Sequence, residues 1–253
     1  MAKNNRLTKI TAGRLVRLVR YTQAVASDEP QQRAAKQKIS SAARTRINAR
    51  TSREKCEELM AANFDRGDLF VTLTYRNAPP SREAAMRMLG TFLRRLREAR
   101  ALRGERLLYI KNAEHIRDDG SEGRWHHHLV INGTGADYEE IRELWSPWGD
   151  NVDFEGLLSD GEIYESRARY LCKERPPLGK QTWTPSRGLR RPQRTSELVD
   201  ESLTVTVDSL PAGAVVLEHH EERNEWGSYV YFKYLLPWRE RPSKPRRRGD
   251  GGP

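Results

Sequence analysis

The chain of 253 residues has only two cysteines, Cys56 and Cys172. They form no C-x-x-C or zinc-type spacing, which excludes a disulfide-stapled scaffold and a thiolate zinc site and leaves two reduced thiols. No stretch approaches the roughly 18 consecutive apolar residues of a membrane span. Arg14, Arg17 and Arg20 interrupt the one apolar run near the N-terminus, so it does not read as a signal peptide. A cytoplasmic protein with no membrane partner is expected. There is no Gly-x-x-x-x-Gly-Lys-Ser/Thr loop, so no phosphate-loop helicase is fused on. Apolar residues make up 36% and charged residues 32%. The core is therefore modest, and part of the chain is expected as solvated helix or tail.

What the chain has in excess is positive charge. The formal net charge is +10, and residues 1–60 hold 14 Lys or Arg against 5 Asp or Glu. A basic arm beside a nearly balanced body fits a polyanionic partner, nucleic acid first. Residues 31–64 contain no proline or glycine and are rich in Ala, Arg, Lys, Glu and Gln, which favours a helix. GRLVRLVRYTQAV, from Gly13 to Val25, reads as a short basic helix before it. These make residues 1–62 a basic helical N-terminal region. At the other end, residues 237–253 form a Pro- and Gly-rich basic tail that cannot build a core.

Between them lies an α+β pattern. Leu69–Tyr75 (LFVTLTY) is β-branched and aromatic, hence a strand. Ser81 can cap a helix running to about Arg103, with Met86, Leu89, Leu93 and Leu96 at helical spacing. LLYIKNAEHI and RWHHHLVIN read as two strands joined by the turn DDGSEG. Asp137 is placed to cap the helix containing YEEIRELW, NVDFEG reads as a short strand or loop, and IYESRARYLCKE as a helix. Residues 179–195 are loop-like, and AVVLEHHEE and YVYFKYLL are two late strands. The expected architecture is a central, mainly antiparallel sheet with helices packed on it. It occupies residues 63–236, with its motif-bearing core at 63–195 and added strands within 200–236.

The sharpest local feature is Trp125-His126-His127-His128-Leu129. In a strand, His126 and His128 share a face and His127 takes the other. With the turn centred near Gly120, cross-strand partners put Glu114 opposite His126, though a slip of one residue is open. Glu114, His126 and His128 could then share one ion, leaving positions for water and a phosphate oxygen, as in a catalytic rather than a structural site. His115 should face away. The same alternation in an apolar strand is also compatible with core histidines.

Tyr170 and Lys173 lie three apart on a helix and share a face. A phenol with pKa about 10 is a poor nucleophile at neutral pH, and a neighbouring cation favours the phenolate. By itself Tyr-x-x-Lys carries little weight; its place after the histidine pair gives it meaning.

Together these segments resemble the HUH endonucleases, specifically the single-tyrosine rolling-circle replication initiators of plasmids and phages, whose palm is RRM-like. FVTLTY (Phe70–Tyr75) resembles the first motif of that family, HHHLVI (His126–Ile131) the His-hydrophobic-His motif, and YLCK (Tyr170–Lys173) the Tyr-x-x-Lys motif, in the family's order. NARTSREKCEELMAANFDRGD resembles the leader of phage-type members. Two departures stand out. His127 occupies the position that is usually apolar, so the ligand pair has an alternative assignment. Tyr164 is six residues from Tyr170 and off its face, so a second nucleophile on that turn is lacking; Glu174 stands four residues on, a hydrolytic base or an exposed helical glutamate.

The resemblance implies a metal-dependent enzyme of a bacterial cell, associated with the nucleoid. It would nick and rejoin single-stranded DNA at a replication origin through a 5′-phosphotyrosine on Tyr170. Mg²⁺ or Mn²⁺ would be held by Glu114, His126 and His128, with Lys173 beside the nucleophile. A host helicase would separate strands and a polymerase would extend the 3′-hydroxyl. Arg187, Arg190 and Arg191 would bind the DNA backbone. Trp183 is open to two readings, a stacking platform for a base or a packed indole. Competing functions are a single-strand DNA transposase of the same superfamily, a non-catalytic DNA-binding regulator, and a metal-dependent hydrolytic nuclease without a covalent step.

Overall fold

The computed structural model describes residues 3–24, 41–116, 121–157, 164–173 and 181–238. Its organising element is β3 (Leu69–Thr74), flanked by β7 (Asn151–Gly156) and β6 (Glu122–Ile131) in antiparallel pairing. Beyond β6 lie β4 (Tyr109–Lys111) and the two-residue β8 (Thr184–Pro185), and β5 (Glu114–Ile116) also pairs with β6. The expected α+β class and antiparallel sheet are what the structure shows.

Both faces of this sheet are covered, which explains why β3 and β6 are nearly continuous in apolar residues instead of alternating with polar ones. Leu69, Val71, Leu73, Leu129 and Ile131 face α2 (Arg82–Leu102) and α3 (Asp137–Trp145). Ser81 caps α2 by accepting from the Ala84 N–H at 3.2 Å, and Ala85, Leu89, Phe92, Leu93 and Leu96 form its buried stripe. Removing each large side chain from water contributes roughly 1.5–3 kcal/mol. Asp137 opens α3 without capping it. Its carboxylate turns back to accept from the Thr134 and Gly135 N–H groups and pairs with the buried Arg100 at 2.5 Å. The other face, with Phe70, Ile110 and Val130, lies under α1 (Ser41–Asn63) and α4 (Tyr164–Leu171). α1 falls within the helix expected over 31–64; residues 25–40 lie outside the described residues.

The short basic helix expected from Gly13 to Val25 is instead part of a hairpin. β1 (Lys3–Ala12) and β2 (Leu15–Ala24) turn at Gly13, whose φ of 59° suits glycine and whose absent Cβ would fall 2.1 Å from the Ala61 carbonyl oxygen on α1. The reason is long-range. Extended alternation sends Leu15 and Arg17 to one face and Val16, Leu18 and Arg20 to the other, and each arginine finds a buried partner. Arg17 binds Glu57 at 2.5 Å and Glu58 at 3.0 Å on α1, while Arg20 donates to Ser228 and to the Glu201 carbonyl. The hairpin belongs to a second sheet with β9 (Gln193–Val199), β10 (Val215–Asn224) and β11 (Gly227–Leu235), in the order β10-β11-β2-β1-β9. β10 and β11 are the two late strands expected from sequence. β9 reaches back into the stretch expected as loop; it is an exposed edge strand without an apolar face, and only its pairing to β1 defines it. The expectation of a purely helical residue 1–62 region is thus corrected to a hairpin followed by a helix.

α1 lies between the two sheets. Lys233 of β11 reaches Glu57 of α1 and Glu165 of α4, each at 2.7 Å, so the second sheet is tied to both helices. Among the described residues, no helix is long and apolar enough to cross a membrane. The tail beyond Trp238 lies outside the described residues.

Candidate metal and nucleophile site

Glu114 pairs with His126 across β5 and β6, the register read from the turn. His126 and His128 point from β6 to the face under α4, and the ligand atoms of Glu114, His126 and His128 all lie within 4.8 Å of one another. Glu114 Oε2 is 3.8 Å from His126 Nε2 and 3.4 Å from His128 Nε2. The other nitrogen of each ring is already held. His126 Nδ1 lies 2.9 Å from the Arg124 carbonyl and His128 Nδ1 lies 3.0 Å from the Thr72 hydroxyl. A proton on Nδ1 of His126, donated to that carbonyl, leaves Nε2 with a lone pair aimed at the centre, the arrangement a metal-ligating imidazole needs.

The electrostatics agree. Burial raises the Glu114 carboxyl, but the neighbouring His128 ring and Lys173 ammonium outweigh it and hold the group below the ordinary range. Burial lowers His126, keeping it neutral. Glu114 Oε2 is buried with no hydrogen-bond partner among the described residues. A buried, ionised oxygen facing two neutral imidazoles calls for a cation, so the residues fit a divalent ion.

His127 takes the opposite face. It is fully buried, with Nδ1 3.1 Å from the Asn112 carbonyl and Nε2 2.7 Å from the Tyr75 hydroxyl. Burial pushes it down to about 3, so it is a neutral core histidine. The alternative ligand assignment through His127 is therefore not what the geometry brings together. His115 stacks on Trp125, with ring centroids 4.2 Å apart.

Tyr170 comes from the last turn of α4. Its ring is 49% exposed and stands edge-on to His128 and Phe70, with centroids 5.9 Å and 6.4 Å away. Lys173, just past the helix, places its ammonium 3.0 Å from Glu114 Oε1. Tyrosine, lysine and the Glu/His cluster thus meet at one place. Tyr164 is buried, and its hydroxyl donates to the Phe64 carbonyl at 3.0 Å, away from this cluster. Glu174 lies outside the described residues.

The DNA-contact expectations divide. Arg187 and Arg191 are exposed. Arg190 is exposed too, but its backbone is clamped by both arms of Asn63 at the end of α1. Trp183 packs against the core under α1 and donates its indole N–H to Ser52 at 3.1 Å, which favours the packed-indole reading. The basic groove lies elsewhere. A cleft of about 530 Å³ beside Tyr170 and Lys173 is lined by Arg46, Arg50, Arg53 and Arg169. Arg46, Arg50 and Arg53 recur at helical spacing along α1, a signal visible within the basic arm but not singled out there. Phe70, which stacks on His128 at 5.3 Å, and Asn112 were also missed; neither has a motif to mark it.

Comparison with known proteins bears on this region. No curated protein and no solved structure matches the chain. Residues 68–175 match a family model described as replication-associated protein, of the ORF2 kind. That span carries Glu114, His126, His128, Tyr170 and Lys173. The part of the chain that builds the site is therefore similar to a replication-associated family, which supports a role in replication.

Proposed function

We propose that the protein is a replication initiator that nicks and rejoins single-stranded DNA through Tyr170. The observation that carries this reading is the shared Glu114 carboxylate, with two imidazoles at one oxygen and Lys173 at the other, and the Tyr170 ring packed against one of those imidazoles. Glu114, His126 and His128 would hold Mg²⁺ or Mn²⁺, which when bound offsets the charge that grows on the non-bridging phosphate oxygens.

The chain's own groups supply the rest. The Tyr170 oxygen bonds to phosphorus as the P–O3′ bond breaks, and the phenol's proton ends on the departing 3′-oxygen. Lys173 lies beside both the carboxylate and the helix of the nucleophile, where its charge favours phenolate and phosphate alike. The ester on Tyr170 retains the bond energy, so a returning 3′-hydroxyl reseals the strand. Arg46, Arg50, Arg53 and Arg169 would follow the backbone of the bound strand. A host polymerase would extend the freed 3′-hydroxyl and a host helicase would open the duplex.

The test is capture. A single-stranded oligonucleotide library is incubated with protein and Mn²⁺, denatured, and the DNA that stays on the protein is sequenced. A recurrent origin sequence is expected on the wild type and is lost with EDTA or in Glu114→Gln. Cleavage without attachment would favour the hydrolytic nuclease; binding without cleavage would favour the regulator. Joining at dispersed target sites would favour the transposase.

A further inference from the structure

The ladder between β6 and its neighbours is interrupted at Asn112 and Ala113, yet the register does not slip there. Lys111 opposes Leu129 on one side of the gap and Glu114 opposes His126 on the other. Asn112 still donates its backbone N–H to the His128 carbonyl at 3.0 Å. The return bond is different. The His128 N–H donates to the Asn112 side-chain Oδ1 at 3.2 Å, and the Asn112 backbone carbonyl lies 3.1 Å from His127 Nδ1, positioned to accept its proton. The remaining arm, Nδ2, donates to the Leu171 carbonyl at 3.2 Å, one residue after Tyr170. Asn112 is 3% exposed, so water does not compete for these bonds.

One amide therefore touches the strand that carries the histidines and the helix that carries the tyrosine. The job needs an acceptor and a donor on one short arm, which asparagine has; aspartate lacks the donor and glutamine is longer by a methylene. The Leu171 carbonyl is one of the terminal helix acceptors that no intrahelical N–H can satisfy.

We propose that Asn112 is a positioning residue that sets the separation between the Glu114, His126 and His128 cluster and Tyr170. This rests on the transesterase reading given above. Its two arms are separable. Asn112→Asp keeps the acceptor for the His128 N–H and removes the donor to Leu171. Asn112→Ser likewise keeps an acceptor and is too short to reach α4. Asn112→Ala loses both.

The experiment measures three quantities on the full chain: single-turnover adduct formation with captured origin DNA, Mn²⁺ affinity by calorimetry, and hydrogen exchange along the backbone. In the Asp and Ser variants adduct formation should fall about 10- to 100-fold, the scale expected when reacting groups are displaced by about 1 Å. Mn²⁺ affinity should stay near wild type, and exchange should quicken at residues 164–173 but not at 122–131. In Asn112→Ala, Mn²⁺ affinity should also drop, by about tenfold, because the support of His128 is gone. Wild-type adduct rates in both Asp and Ser, or parallel losses of metal affinity and rate in them, would overturn the proposal. If the wild type itself forms no adduct, the transesterase reading falls. The exchange pattern then still decides whether Asn112 tethers the helix: faster exchange confined to 164–173 upholds the tether, and unchanged exchange removes it.

Discussion

Lys233→Met is the perturbation that best tests how the second sheet holds the helix of Tyr170. The side chain is 3% exposed, and its ammonium is 2.7 Å from Glu57 on α1 and 2.7 Å from Glu165 in the first turn of α4. Methionine keeps the stem and deletes the charge. Removing one partner of a buried pair costs about 3–5 kcal/mol, because the carboxylate left behind is under-compensated; Arg17 remains on Glu57 and places the expectation at the lower end. The Glu165 arm can be isolated. The hydrogen bond from Lys233, with a second from Arg169, holds its carboxyl down from 4.5 to about 2. That shift corresponds to about 3 kcal/mol, and screening at a group one-third exposed reduces it to about 1–2 kcal/mol. The folded pKa is depressed, so this contribution is full above about pH 4.5 and is lost as pH falls towards about 2. A double-mutant cycle of Lys233→Met and Glu165→Gln, followed by urea unfolding at pH 7, should give a coupling of about 1–2 kcal/mol that disappears near pH 2. Additive single effects at pH 7, within about 0.3–0.5 kcal/mol, would refute the ion-pair account.

Two further outcomes follow from the groove. The Cys172 thiol is drawn below its ordinary range by a hydrogen bond with Cys56, then by Ser52 and Arg53, whereas burial pushes Cys56 up. Iodoacetamide should therefore alkylate Cys172 first and Cys56 only on unfolding, as read by peptide mass mapping; equal labelling in the native protein would contradict this. Replacing Arg46 or Arg53 with alanine should lessen the dependence of log K on log salt for single-stranded DNA by about 0.7 each, measured by fluorescence anisotropy. An unchanged slope would place the strand elsewhere.

How far the sequence alone carries the account depends on whether a residue's partner is local. The LFVTLTY strand, the Ser81-capped helix and the late strands were legible because period and capping are encoded within a few residues. The Glu114–His126 register was legible because a short turn counts it out. The β1–β2 hairpin was not, since LVRLVRY is compatible with either period. What decides it is Arg17 meeting Glu57, 40 residues on, and Arg20 meeting Ser228, 208 residues on. Asn112 was hidden for the same reason: an asparagine between two strand segments reads as a break, and its role exists only once α4 has folded over the sheet. Trp183 shows the converse error, in which a basic, loop-like context favoured a DNA-facing role that packing beneath α1 makes unnecessary.

The central claim is that the tyrosine beside the Glu114, His126 and His128 cluster becomes bonded to DNA. Wild-type protein, reacted with captured origin oligonucleotide and Mn²⁺ and then digested with nuclease and protease, should yield one peptide carrying a nucleotide on Tyr170 by tandem mass spectrometry, with none from Tyr170→Phe. A nucleotide found on Tyr164, or an adduct that survives in Tyr170→Phe, would contradict the account.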